Sequence, residues 1–211
     1  MPLPYYLLSP LLPEPSFAVD YSPMHPPYTP TQTLTAPSTQ QKSLLLPQRV
    51  LGIDPGLERL GYGLLHRPHE DGAHSKQWQA MDWGIIQTHK SGTIPQRLLE
   101  IHSDLTDLIH TLQPDWVVVE QLFYFRNATT IIPVAQARGV VLLACAAAGC
   151  HLQEATPMQV KQAVTGYGKA SKAEVQMAMQ QRLNLPCKPT PDDAADALAI
   201  ALTGLLQAGL A

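Results

Sequence analysis

Two acidic residues stand where strand formation gives no reason for them. Asp54 ends the apolar run "RVLGID" and is followed at once by Pro55 and Gly56, and Glu120 ends "DWVVVE". Asp is depleted in strands, and a carboxylate at a strand tip is costly to desolvate unless something pairs with it. More acids lie far along the chain in "PDDAADALAIA", at Asp192, Asp193 and Asp196. Helical positions three or four apart share a face, so Asp196 can act with either Asp193 or Asp192, and spacing does not choose between them. Asp192 follows Pro191 near the helix start, where an N-cap role accounts for it fully. If the strands ending at 54 and 120 are central and adjacent, their C-terminal ends bring two carboxylates together. Each then raises the other's pKa unless a cation lies between them. No His or Cys joins the group, and such an all-oxygen set suits a hard cation, Mg²⁺ first, which keeps waters and binds phosphates. Two such ions can clamp the attacking and leaving oxygens of an in-line phosphodiester displacement.

Each signal alone has an ordinary explanation. Asp before Pro-Gly is a turn residue, Glu after an apolar run is an exposed strand end, and acids at a helix start complement the helix dipole. Their joint presence at consistent topological positions is what favours a site.

The elements that must position these acids follow from hydrophobic periodicity. "RVLGID" has the length and Val/Ile content of a buried strand. "LGYGLLHR" and "QWQAMDWGIIQT" form two more strands, with His66 to Lys76 as their hairpin loop. "IPQRLLEIHSDLTDLIHTLQ" places Ile94, Leu98, Ile101, Leu105, Leu108, Ile109 and Leu112 on one helical face. "DWVVVEQ" carries a continuous β-branched run and predicts a central strand buried on both faces. A helix follows from Asn127, its N-cap, to Gly149, with Pro133 in its early part. "HLQEATP" is a short strand, "PMQVKQAVTG" and "SKAEVQMAMQQRLN" are helices, and Ser171 with Glu174 makes a capping-box pattern. "DDAADALAIALTGLL" is the last helix. Strands first and helices late predict a mixed α/β sheet flanked by helices.

The 211-residue chain has room for one ordinary domain and a tail, and 45% of it is hydrophobic against 15% charged. Eleven of its twenty prolines fall in residues 1–47, where only Glu14, Asp20 and Lys42 are charged. Residues 1–48 therefore read as a Pro-rich, disordered extension and residues 49–211 as the folded domain. No run of eighteen apolar residues predicts a membrane span, and the N-terminus lacks the layout of a secretory signal. Three cysteines without CxxC spacing argue against a disulfide framework or a zinc site, with Cys145 and Cys150 as core thiols. A reducing, cytoplasmic setting is expected. The net charge of −3 speaks against a non-specific nucleic-acid binder but not against an enzyme whose carboxylates carry cations.

Over residues 49 to about 205 the chain resembles the RuvC-type crossover-junction endodeoxyribonucleases, which have an RNase H-like fold. The resemblance rests on "LGIDPGLERLGYGLL", "PDWVVVEQLFYFRNATT", "AQARGV", "ATPMQVKQAVTGYGKASKAEVQ" and "DDAADALAIA", in family order and spacing. It implies that Asp54, Glu120 and Asp193 are metal-binding catalytic acids with Asp196 as the fourth, which selects Asp193 over Asp192. It also implies a lysine beside the scissile phosphate at Lys172 and a basic residue near the DNA at Lys161. Read alone, each lysine is a solvated surface charge. Phe123 matches an aromatic set against DNA bases near the junction centre. Phe123, Tyr124 and Phe125 cannot all enter one core from a strand end, so one facing outward to stack on bases is chemically sensible.

The implied cofactor is Mg²⁺, two ions per subunit with Mn²⁺ able to substitute. The implied substrate is four-way (Holliday) junction DNA, cut in recombination and repair, and the implied further partner is a bacterial branch-migration complex. A nearly two-fold junction needs two symmetric cuts, which a homodimer supplies with one interface. The helix from Asn127 to Gly149 is the implied interface, with ordinary core packing as its other reading. Two rivals remain. A phosphotransferase of the actin and sugar-kinase fold needs a second phosphate loop and a second domain, for which the chain is too short. A protein that binds branched DNA without cutting would be expected to have lost an acid, and none is missing.

Overall fold

The computed structural model describes residues 46–70, 73–74, 77–122 and 128–211, with the backbone alone described at 69–70, 73–74 and 128–130. The expected extension (up to residue 45), the aromatic run Phe123–Phe125 and the expected N-cap Asn127 lie outside the described residues. Strand β1 (Arg49–Asp54) begins where Asp115 Oδ2 accepts the N–H groups of Gln48 at 2.8 Å and Arg49 at 3.0 Å. β2 (Arg59–His66) returns antiparallel to β1, and β5 (Gln79–Gln87) runs antiparallel to β2. The expected loop from His66 to Lys76 is corrected in part. His66 pairs with Arg49 as the end of β2, and the connection carries its own short ladder of β3 (His69–Glu70) and β4 (Ala73–His74). These segments are too short and too polar to show a period in sequence.

Helix α1 (Ile94–Leu112) leads to β6 (Trp116–Glu120), α2 (Ala128–Ala147), β7 (His151–Ala155), α3 (Pro157–Thr165), α4 (Lys172–Arg182) and α5 (Asp192–Gln207). The sheet order is β5-β2-β1-β6-β7, with β1, β6 and β7 parallel. This is the expected mixed sheet. The capping box is present at α4, where Ser171 Oγ accepts the Glu174 N–H at 3.3 Å and Glu174 Oε2 accepts the Ser171 N–H at 2.6 Å. The N-cap reading of Asp192 is corrected. Pro191 occupies the cap position, and Asp192 is the first helical residue, where its charge still complements the dipole.

Strand alternation sends side chains to two cores. Leu51, Ile53, Val117 and Val119 face α1 and α2, meeting Ile101, Leu105, Ile109 and Val141. Cys145 is buried among them, and its thiol is pushed up to about 12, chiefly by burial. Val50, Leu65 and Val118 face α3 to α5, meeting Val160, Met179 and Leu198. On this second side the strands carry glycines where α5 crosses. A Cβ at Gly52 would lie 2.0 Å from the Ala197 carbonyl oxygen, and one at Gly61 would lie 2.1 Å from that of Asp193. Helix α5 can therefore rest directly on the backbone of β1 and β2. From Ala194 to Leu205 every residue of α5 but Asp196 is buried, as expected for a helix apolar on all sides. Among the described residues no helix is long and apolar enough to cross a membrane.

Candidate active site

The parallel register pairs Ile53 with Val119, so the next residues, Asp54 and Glu120, leave the sheet side by side at its C-terminal edge. Both are half-buried. They lie on the α5 side, in alternation with Gly52 and Val118. The seating of α5 on Gly52 and Gly61 brings the start of that helix to the same edge. Asp54, Glu120 and Asp196 line one cavity of about 230 Å³ together with Lys161 and Lys172. Five of the residues singled out from sequence thus converge. Asp193 does not line this cavity; its Oδ2 stands 3.0 Å from Arg59 Nε. That oxygen is buried and not aligned for a hydrogen bond, so the contact is an ion pair with an unsatisfied acceptor.

The electrostatics follow from this crowding. Burial pushes the Asp54 carboxyl up to about 7, with the carboxylates of Asp196 and Asp193 adding to the shift and Lys172 opposing it. Glu120 is pushed up to about 8, first by burial and then by Asp54 and Asp196, against the pull of Lys161 and Lys172. Asp196 is raised by burial, with Lys172 working the other way. The Lys172 ammonium donates to Asp192 Oδ2 at 2.8 Å and stands 3.4 Å from Asp196 Oδ2. Its hydrogen bond to Asp192 is the largest cause of its own raised pKa and holds the Asp192 carboxyl below its usual range. Asp192 is therefore a lysine acceptor at the rim, with Arg59 3.9 Å away.

The donor set suits a hard cation: three carboxylates line the cavity and Asp193 stands beside it, with no sulfur or imidazole, and Asp54 and Glu120 are held where their charge is poorly compensated. As the side chains stand, no three acids, His or Cys among the described residues close on one point as a coordination shell. Lys161, Lys172 and Arg59 supply the positive charge that faces them.

Two arginines take part that sequence reading did not single out. Arg59 opens β2 beside the turn after Asp54, and only the fold brings it to Asp193. Arg138 of α2 donates from Nε to the Glu120 carbonyl oxygen at 3.2 Å and bonds Glu154, which also accepts from Gln121 Nε2 at 3.0 Å. Together with the Gln121 N–H on the Ala155 carbonyl at 2.8 Å, this fixes the backbone from which Glu120 projects. The available signal was the Arg within "AQARGV", a charge in an otherwise apolar helix.

The model of the family described as "Crossover junction endodeoxyribonuclease RuvC" matches residues 50–204. The RuvC protein of Petrotoga mobilis is 46% identical over 152 residues, which is 72% of this chain and 90% of that protein. That of Syntrophomonas wolfei is 47% identical over 157 residues, 74% of this chain and 88% of that protein. Among solved structures, Thermus thermophilus RuvC in complex with Holliday junction substrate is similar at a TM-score of 0.68 and 34% identity, covering 76% of this chain and 94% of that one. The five-stranded mixed sheet with flanking helices is the RNase H-like fold shared by these nucleases. This chain belongs to the RuvC family of crossover junction endodeoxyribonucleases.

Proposed function

We propose that the acid cleft is the phosphodiester-cutting centre of this endodeoxyribonuclease, that its substrate is the four-way (Holliday) junction, and that Mg²⁺ is the cation it uses. The observation that carries this reading is the pair Asp54 and Glu120. Adjacent parallel strands hold them side by side, with carboxyls at about 7 and 8, a charge arrangement that the fold does not neutralise by itself. The Thermus thermophilus relative in complex with Holliday junction substrate supports the choice of substrate.

Asp54, Glu120, Asp193 and Asp196 are the proposed metal-holding acids. The chemistry that bound Mg²⁺ supplies is a lowered pKa of the attacking water and neutralised charge at the leaving oxygen. Lys172 is already at the cleft and is poised to exchange a carboxylate for the scissile phosphate, where charge develops in the transition state. Lys161 lines the same cavity and suits a neighbouring phosphate. Phe123 is the proposed aromatic at the junction centre.

Two symmetric cuts need two copies of the cleft. The proposed homodimer uses α2, whose Ala137, Val141, Ala144 and Cys145 are buried inward while Ile132 and Leu143 stand about 60% exposed. A branch-migration complex is the proposed further partner. Residues 1–48 are proposed as an extension outside the nuclease domain, in keeping with a family match that begins at residue 50.

The test is cutting of a synthetic four-way junction and of a linear duplex of the same sequence, each with Mg²⁺ and with chelator. Symmetric nicks in the junction alone, and only with the metal, are expected. Equal cutting of the duplex, or cutting in chelator, would remove this reading.

A further inference from the structure

We propose that the groove beside the acid cleft, lined by Met158, Tyr167 and Lys169, seats a nucleotide of the DNA strand that flanks the cut, with Tyr167 stacked on its base. The inference rests on the cleft being the cutting site. A groove of about 530 Å³ is lined by these three residues together with Gln159, Gly168 and Gln207. A second of about 560 Å³ is lined by Asp54, Glu120 and Lys161, and shares Met158, Gly168 and Lys169 with the first. The two adjoin across these shared residues, on the side of the cleft away from α5's acids, each within the roughly 300–1,000 Å³ of ligand-binding clefts.

Single exposed apolar residues are ordinary. Here two large ones, Met158 at 62% and Tyr167 at 59% exposure, share one groove that adjoins the acid-lined one. The loop that presents Tyr167 is not loose. Gly166 takes φ +79° to end α3, and its carbonyl accepts from Gln162 Nε2 at 2.8 Å. Thr165 Oγ1 accepts the Tyr167 N–H at 3.1 Å, and the Tyr167 carbonyl accepts the Ala170 N–H at 3.1 Å. At Gly168 a Cβ would lie 2.9 Å from Met158 Cγ, so the loop runs close over that side chain. A pinned turn that holds an aromatic ring in solvent loses little freedom on binding. Bases offer the flat apolar partner such a ring accepts without regard to sequence, while Lys161 and Lys169 match the phosphates on either side.

The experiment compares Tyr167→Ala, Tyr167→Phe and Tyr167→Trp in the full chain. Junction affinity is measured in an Asp54→Asn background, and 5-iodouracil placed at the nucleotides flanking the cut is photo-crosslinked and mapped by mass spectrometry. A cross-link on Tyr167 is expected. Tyr167→Ala should bind the junction about tenfold more weakly at unchanged melting temperature, with Phe and Trp restoring affinity. Parental affinity in Tyr167→Ala, a loss that Phe and Trp fail to restore, or cross-links confined to other residues would overturn the proposal. If the parent chain does not cut junctions, the proposed function fails, and the cross-link still decides the groove.

Discussion

The two faces of the central sheet are built from the same strands to opposite ends. Toward α1 and α2, β1 and β6 present Leu51, Ile53, Val117 and Val119, and the space is filled by large aliphatic groups. Toward α5 the same strands present Gly52 and Asp54, Val118 and Glu120, and part of the space is filled by helix backbone. One face is held by volume; the other trades volume for closeness, which is what lets a helix bring acids to the edge of the sheet. Both faces carry buried cores that the chain needs to fold, but only the α5 face should also decide whether it cuts.

The sharpest break of that comparison is Asp54→Asn, which keeps shape and removes charge. Cutting should fall by several orders of magnitude while junction affinity survives, because phosphate contacts and shape carry affinity; Glu120→Gln should match it. A near-parental cutting rate in Mg²⁺ would place the chemistry elsewhere. Next comes a matched pair on adjacent residues of β1. Leu51→Ala should cost about 2–5 kcal/mol of stability with cutting per folded molecule intact. Gly52→Ala should lower both, since its Cβ meets backbone that only a displaced α5 can relieve. Denaturant titration with active-site counting separates them, and identical behaviour would erase the division of labour. Smaller still is Lys172→Ala, for which cutting should fall by roughly 10²-fold and by more than affinity does. An equal loss in both would mean simple phosphate anchoring.

The pH response carries a sign. In the unfolded chain Asp54 and Glu120 take their ordinary values of 3.8 and 4.5, against about 7 and 8 when folded. Between about pH 4 and 8 the folded chain thus binds more protons, so metal-free stability falls as pH rises through that window. Melting curves in chelator at pH 5 and pH 8 should show this, and the Asp54→Asn/Glu120→Gln double variant should flatten it. Mg²⁺ should stabilise the parent more at pH 8 than at pH 5, since it needs the ionised acids. The smallest effect is expected of Asp192→Ala. Its rim contacts with Lys172 and Arg59 are partly exposed and worth about 0.2–1 kcal/mol, whereas Asp193→Ala should abolish cutting. A reversed outcome would shift the acid register by one.

The bulk face was legible from periodicity, because burying large side chains forces a pattern. Ile94 through Leu112 on α1 fall where a 3.6-residue repeat puts them. The ends of β1 and β6 were legible too, since an acid closing an apolar run violates that pattern. What sequence could not carry were contacts made by closeness across the fold. Arg59 on Asp193 and Arg138 on the Glu120 carbonyl join residues with no local signature. Asp192 read as a cap because Pro191, which takes that position, offers no side-chain acceptor to announce itself. The arrangement of Asp193 against Arg59, off the cavity that Asp54, Glu120 and Asp196 line, likewise has no counterpart in spacing.

The seating of α5 on Gly52 and Gly61 also constrains anyone who would make this chain hardier. Replacing strand glycines by alanine is a common route to a higher melting temperature, because it restricts the unfolded chain. At 52 and 61 that route is closed, because the added Cβ meets helix backbone and would cost stability and turnover together. Stabilising changes belong instead on exposed positions of the outer strand and helix, such as Met81 and Leu99, which lie outside the acid cleft.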